Sequence, residues 1–208
     1  KIANNHHRMP DFFDKLSKIF QYLINKIRSE ISDFHIYQMC KCNKRIILLF
    51  FEQGLIQPNE EIISDIMIHK DPNEYPYKHY LYSGIKSFID ENELKTIDDE
   101  IITNYGEDIN DFVNKCRIGE NSAYICSLIR QDSVEEFIAY VNREKISLSS
   151  QISPSIFETN LFLIQKSVSL IEYATFFGSI QIIQFLRYSK VSLTSYLWLY
   201  AVHSNNGE

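Results

Sequence analysis

Between Ser169 and Arg187 the chain reads SLIEYATFFGSIQIIQFLR, two runs of helical length separated by one glycine. Ser169 with Glu172 has the spacing of a capping box, in which each side chain satisfies a backbone N–H that a first helical turn leaves unpaired. Gly178 can take positive φ and end the first helix, while Ile180, Ile183 and Leu186 place one apolar face on the second. A single unit of this kind exposes apolar surface unless it is stacked against others.

The rest of the chain agrees with a helical architecture. Of 208 residues 45% are apolar, enough for a real core, whereas only 6 Gly and 5 Pro are present, too few for the tight turns of an all-β fold. The fold expected is all-α.

Charge and hydropathy narrow the function classes. The formal charge is −6 and residues 1–100, with 13 basic and 16 acidic side chains, are as acidic as the remainder, with 8 and 11. No basic cluster is present to meet phosphates, which argues against nucleic acid as a partner. The longest apolar run, Ile46 to Phe51, falls far short of the ~20 residues of a membrane span. The opening KIANNHHRMPDFF lacks an apolar signal core, and the four cysteines (Cys40, Cys42, Cys116, Cys126) do not form a secreted disulfide framework, so the cytoplasm is the expected location. Lys1 stands where an initiator Met would, as expected of a fragment.

Residues 1–110 read as an N-terminal helical region of divergent pairs. After Pro10, a good early helical residue, Leu16, Ile19, Phe20, Leu23, Ile24 and Ile27 form one stripe that must pack on something. Helices are expected near 33–42 and 44–52, closed by Gly54, and again after Pro58. The segment His69 to Tyr82, with two prolines and four tyrosines, keeps no helical period and reads as a long loop or insertion. Helical spacing resumes at Ile97, Ile101 and Ile102.

Residues 111–208 read as stacked helix pairs. The 169–187 segment aligns without gaps to the ankyrin pattern T-P-L-H-x-A, a Gly turn and a second helix, with Ala174 small where adjacent first helices approach closely. LWLYAVHS (Leu197 to Ser204) repeats the first-helix pattern with Ala201 27 residues after Ala174, shorter than the usual ~33, so the β-finger is expected to be trimmed. Weaker copies surround Asp132 (SAYICSLIRQDSVEEFIAYV) and Asn43 (FHIYQMCKCNKRIILLFFEQGLI). On these residues the chain resembles a family of ankyrin-repeat proteins expanded in trichomonad protists, many with a helical domain of unassigned function ahead of the repeats. The resemblance implies an α-solenoid with a concave face for a protein partner and no catalytic residues. Glu172 and Leu199 depart from the family's TPLH histidine, which bears on the β-fingers more than on the helices.

In that family the two residues before the turn often face the groove, which here points to Lys41 with Cys42, Arg130 with Gln131, Phe176 with Phe177, and His203 with Ser204. The phenylalanines read either as an aromatic anchor or as rings packed on a neighbouring helix. Cys40, Cys42 and His35 lack a fourth ligand for zinc, and His6 and His7 read as a polar extension, so no metal is expected. No nucleophile motif or phosphate-binding glycine loop is present, so neither enzyme activity nor a cofactor is expected. Asp98, Asp99 and Glu100 read as a solvated helix face or an acidic docking site, and Tyr75, Tyr77, Tyr80 and Tyr82 as a binding loop or a lid. The expected function is a protein-interaction scaffold that binds on its concave face. The alternative is self-association into a homo-oligomer through a final repeat that lacks its second helix.

Overall fold

The computed structural model describes residues 12–165 and 167–204; Pro10, His6 and His7 lie outside them. Every regular element among the described residues is a helix, and extended pairing is limited to the isolated bridges Lys70 with Pro76 and Gln151 with Ser169. The chain divides into two compact units, one reaching Glu120 and including Thr159–Leu161, the other formed by Asn121–Glu158 and Phe162 onward.

The first unit holds α1 (Phe12–Glu30), α2 (Asp33–Cys40), α3 (Lys44–Glu52), α4 (Glu60–Ile68), α5 (Tyr77–Tyr80), α6 (Tyr82–Ile85), α7 (Glu91–Tyr105) and α8 (Ile109–Ile118). Local sequence starts most of them. Ser32, Asn43, Asn59, Asp90 and Asp108 each accept one or two N–H groups from the first turn that follows, which removes part of the cost of beginning a short helix. The long apolar run forms α3, which is apolar on nearly every side and therefore sits at the centre, packed by α1, α2, α5, α6 and α8. Gly84 permits the close approach of α6 to α3, because a Cβ there would lie 2.7 Å from Cβ of Phe51.

The structure adds detail to three expectations for this unit. The α1 stripe packs on α3 through part of its length. Phe20 meets the Phe50 ring at 4.5 Å and Leu16, Ile24 and Ile27 are half-buried, but Ile19 and Leu23 are exposed. Residues 69–76 lie outside the helices, as expected of a loop, whereas 77–80 are helical and Asp71, Tyr77, Tyr80 and Tyr82 are buried. Asp71 folds the segment back by accepting the N–H groups of Asn73 and Tyr75, and its other oxygen meets Lys44 Nζ at 2.5 Å, with both side chains almost completely buried. Tyr77, Tyr80 and Tyr82 then enter the core because their hydroxyls find acceptors there, Lys41 O for Tyr77 and Cys116 O for Tyr80. The boundary at residue 110 moves to Glu120, since α8 buries Phe112, 5.0 Å from the Tyr105 ring, and presents Cys116 O to Tyr80.

The second unit holds α9 (Tyr124–Arg130), α10 (Val134–Arg143), most of α11 (Leu161–Ile164), α12 (Leu170–Phe177), α13 (Ile180–Tyr188) and α14 (Leu197–Ser204). The capping box of Ser169 and Glu172 forms as the spacing predicts. α12 is buried from Leu170 to Phe176 and touches α9, α13 and α14. The two complete pairs share their turns. Asp132 after α9 and Gly178 after α12 have φ of 52° and 73°, and the residues that follow them, Ser133 and Ser179, donate to carbonyls five positions back. Lys145 and Lys190 close α10 and α13 in the same way, at φ of 54° and 59°. The turns are also joined to one another. Asp132 accepts the N–H groups of Gln181 and Ile182 at the start of α13, and Ser179 Oγ donates to Ile129 O at 2.5 Å. No described helix is long and apolar enough to cross a membrane.

Candidate functional site

The residues expected on the concave face divide between the units. In the first, Lys41 extends its ammonium toward both oxygens of Asp65 at 3.4 Å, while Asp65 also accepts the Tyr37 hydroxyl at 2.7 Å. Cys42 is exposed beside it, and Cys40 is half-buried. His35 hydrogen-bonds through Nδ1 to Ser32 Oγ, the cap of its own helix. Among the described residues no three His, Cys, Asp or Glu side chains gather in a metal-binding geometry.

In the second unit the remaining residues form one belt across the C-terminal ends of α9, α12 and α14. Arg130 donates from Nη1 to Asn121 O and to the Tyr173 hydroxyl, both at 2.8 Å, and its guanidinium lies 6.0 Å from the Phe177 ring. Phe177 meets Tyr173 at 4.8 Å and Phe176 at 5.1 Å. His203 lies 5.0 Å from Phe176 and 4.5 Å from Phe162. Gln131 is exposed and bonded to Ser127 Oγ, whereas Ser204 is half-buried and donates to Ala201 O.

Phe176 does not reach solvent at all. Its alternative reading, a ring packed on neighbouring helices, is the one realised: α12 is enclosed by α9 and α14, so the side of the helix that carries Phe176 has no outer face. Phe177 is half-exposed and can serve as a contact. The belt thus offers a guanidinium, an aromatic ring, an imidazole and an amide, all oriented by internal partners.

The buried thiol and hydroxyl of this region are held in their protonated forms. Burial pushes the Cys126 thiol up to about 12, and burial also raises the Tyr173 hydroxyl well above its usual range. In the first unit burial raises Cys40 and Cys116, so these thiols are held away from the thiolate form that reacts. Glu100 is no free carboxylate: it accepts from His79 Nε2 and Lys78 Nζ, both at 2.7 Å, and Asp98 accepts from Tyr82.

The residue-by-residue reading did not single out a groove of about 310 Å³ between α13 and α14, lined in part by Ile183, Arg187, Leu193, Trp198 and Ala201. Trp198 and Leu193, which line it, are 63% and 55% exposed. The sequence signal was present, since Trp198 and Ala201 lie three apart on one helical face, but only packing showed that Trp198 stays exposed among the described residues. No family model matches the chain, and no curated protein or solved structure matches it.

Proposed function

We propose that the protein is a non-catalytic interaction scaffold whose second unit is a short, degenerate ankyrin-like array that binds a protein segment along the belt from Arg130 to His203. The observation that carries this reading is the recurrence of the turns. Positive-φ residues 132 and 178 are 46 apart, and 145 and 190 are 45 apart. A repeated unit whose first helices lie side by side brings equivalent turn-preceding residues into a row. The Ser-rich connection and the 155–168 segment account for a spacing longer than the ankyrin ~33.

Affinity on such a face would come from a few desolvated groups, with Phe177 and Arg130 as the anchors. Arg130 is already oriented by Asn121 and Tyr173, so a partner carboxylate or carbonyl would meet a guanidinium with little freedom left to lose. Photo-crosslinking residues placed at Gln131, Phe177 and His203, with Glu135 as control, test the reading in native-cell extract. One protein captured at the three belt positions and absent from the control is the expected result. Equal capture at all four positions would remove the belt as a binding face.

A further inference from the structure

Arg45, the second residue of α3, is 9% exposed and carries a charge that no side chain meets. Its Nε and Nη1 are closed off from solvent without a hydrogen-bond partner, and among the described residues it has no ion pair. The guanidinium carbon lies 4.5 Å from the centre of the Phe13 ring, and the stem is held against Gly119, where a Cβ would lie 3.3 Å from Arg45 Cγ and Cδ. Gly119 O is not available to it, because that oxygen accepts both the N–H and the hydroxyl of Thr159. The carboxylate whose charge acts on Arg45 is Glu52, and its Oε1 already accepts from Arg117 Nε at 2.9 Å and from Ser83 Oγ at 2.8 Å. Arg117 adds a second positive charge, which pushes the Arg45 guanidinium further below its ordinary value in the same direction as burial. A guanidinium keeps its proton in a protein, and burying one without an anionic partner is strongly unfavourable.

We propose that Arg45 and Arg117 form a binding site for the terminal phosphate of a small anion. Two guanidiniums stand against one carboxylate, so one positive charge is left to be matched. Arg117 bonds through Nε to Glu52 and through Nη1 to Asn114 Oδ1, and its Nη2 makes no hydrogen bond among the described residues. Glu52 shows what a carboxylate does at this place: it engages Arg117 and leaves Arg45 unmet. A phosphate presents three acceptor oxygens and fits the planar fork of a guanidinium, so it can meet both. The group must be terminal, because a guanidinium nine-tenths buried can be reached by the end of a ligand and not by the middle of a phosphodiester chain. Entry lies past the first turn of α1, a light cover that buries only Phe12 and Ser17 along its 19 residues. The site belongs wholly to the first unit, so its fate is independent of the belt.

Thermal unfolding of the whole protein, with inorganic phosphate replacing chloride at fixed ionic strength, tests the site. The expected result is a saturable rise in Tm, since a ligand that binds the native state alone stabilises it by mass action. Methyl phosphate should raise Tm as well if the phosphate is carried on a larger molecule, whereas a response to inorganic phosphate alone identifies the free ion. Dimethyl phosphate, which has no terminal phosphate, should have no effect. Arg45→Met, an apolar replacement of similar length, should abolish the rise. Arg117→Gln changes a side chain 47% exposed and should weaken phosphate binding about tenfold, the effect of one hydrogen bond to a charged group. Three outcomes overturn the proposal: no saturable rise in the natural protein, the same rise in Arg45→Met or in Arg117→Gln, or an equal rise with dimethyl phosphate.

Discussion

Both units close around hydrocarbon and rings, but the helices before Glu120 also bury charged side chains that pair with one another, whereas the buried carboxylates after it meet backbone N–H groups. In the first unit Lys44 and Asp71 form an ion pair with side chains 3% and 2% exposed, and His79 is buried between Glu100 and Tyr105. Arg45 is buried as well, its Nε and Nη1 without hydrogen-bond partners and its guanidinium 4.5 Å from the Phe13 ring. In the second unit the buried carboxylates serve the backbone, Glu172 at Ser169 N–H and Glu158 at Asn121 N–H. Each charged side chain buried in the first unit needs its counterpart in place, whereas in the second unit the turns after α9 and α12 share their φ sign and hydrogen-bond pattern.

The largest difference between the units is expected from Lys44→Met. It leaves Asp71 buried without its counter-ion, and removing one partner of such a pair costs about 3–5 kcal/mol. Hydrogen exchange should show α3 amides losing protection while those of α12 keep theirs; equal loss in both would mean that the two units do not differ in this way. Phe176→Ala is the matching change in the second unit. A fully buried phenylalanine truncated to alanine costs about 3 kcal/mol or more, and Phe177→Ala, half-exposed, about 1 kcal/mol. Urea unfolding followed by Trp198 emission measures both, and similar values for the two would refute the burial assigned to Phe176.

The turns offer a sharper comparison. Gly178 holds φ at 73°, so Gly178→Ala should cost about 1–2 kcal/mol. Asp132→Ala, at the equivalent turn, loses the acceptor of two α13 N–H groups and should cost about 1 kcal/mol. If Asp132→Ala is silent, the two turns are alike in shape but not joined in energy. The smallest effect is in pH. Burial holds the His79 imidazole below its ordinary value, against the opposing effect of the hydrogen bond that His79 donates to Glu100. The native state therefore favours neutral His79. Its stabilising contribution is complete above the ordinary value of 6.5 and declines as pH falls toward the lowered native one. Denaturant midpoints between pH 7 and pH 5 should fall more steeply for the natural protein than for His79→Gln, with α3 exchange moving more than α12.

Much of the fold was legible along the chain, and the reasons are local. The box at Ser169 and Glu172 and the glycine at 178 act through neighbours within a few positions. The tyrosine segment was not legible, because its prolines and lack of period describe a loop until Lys44, 27 residues earlier, supplies the charge that draws Asp71 inward. The belt was half legible. The spacing identified Arg130, Gln131, Phe176, Phe177, His203 and Ser204 as turn-preceding residues, but gave no means to rank Phe176 against Phe177.

By itself the sequence determined that this chain is helical, where most of its helices begin, and which of them are apolar on every side. Those properties follow from backbone donors and acceptors, side-chain volume and the helical period, each fixed within about one turn of chain. Only the tertiary structure decided which of two adjacent phenylalanines faces solvent, that Tyr77, Tyr80 and Tyr82 are core, and that α13 and α14 leave a trough beside Arg187. Burial and charge pairing depend on what lies opposite a residue, and that neighbour is set by packing over distances the local pattern does not record.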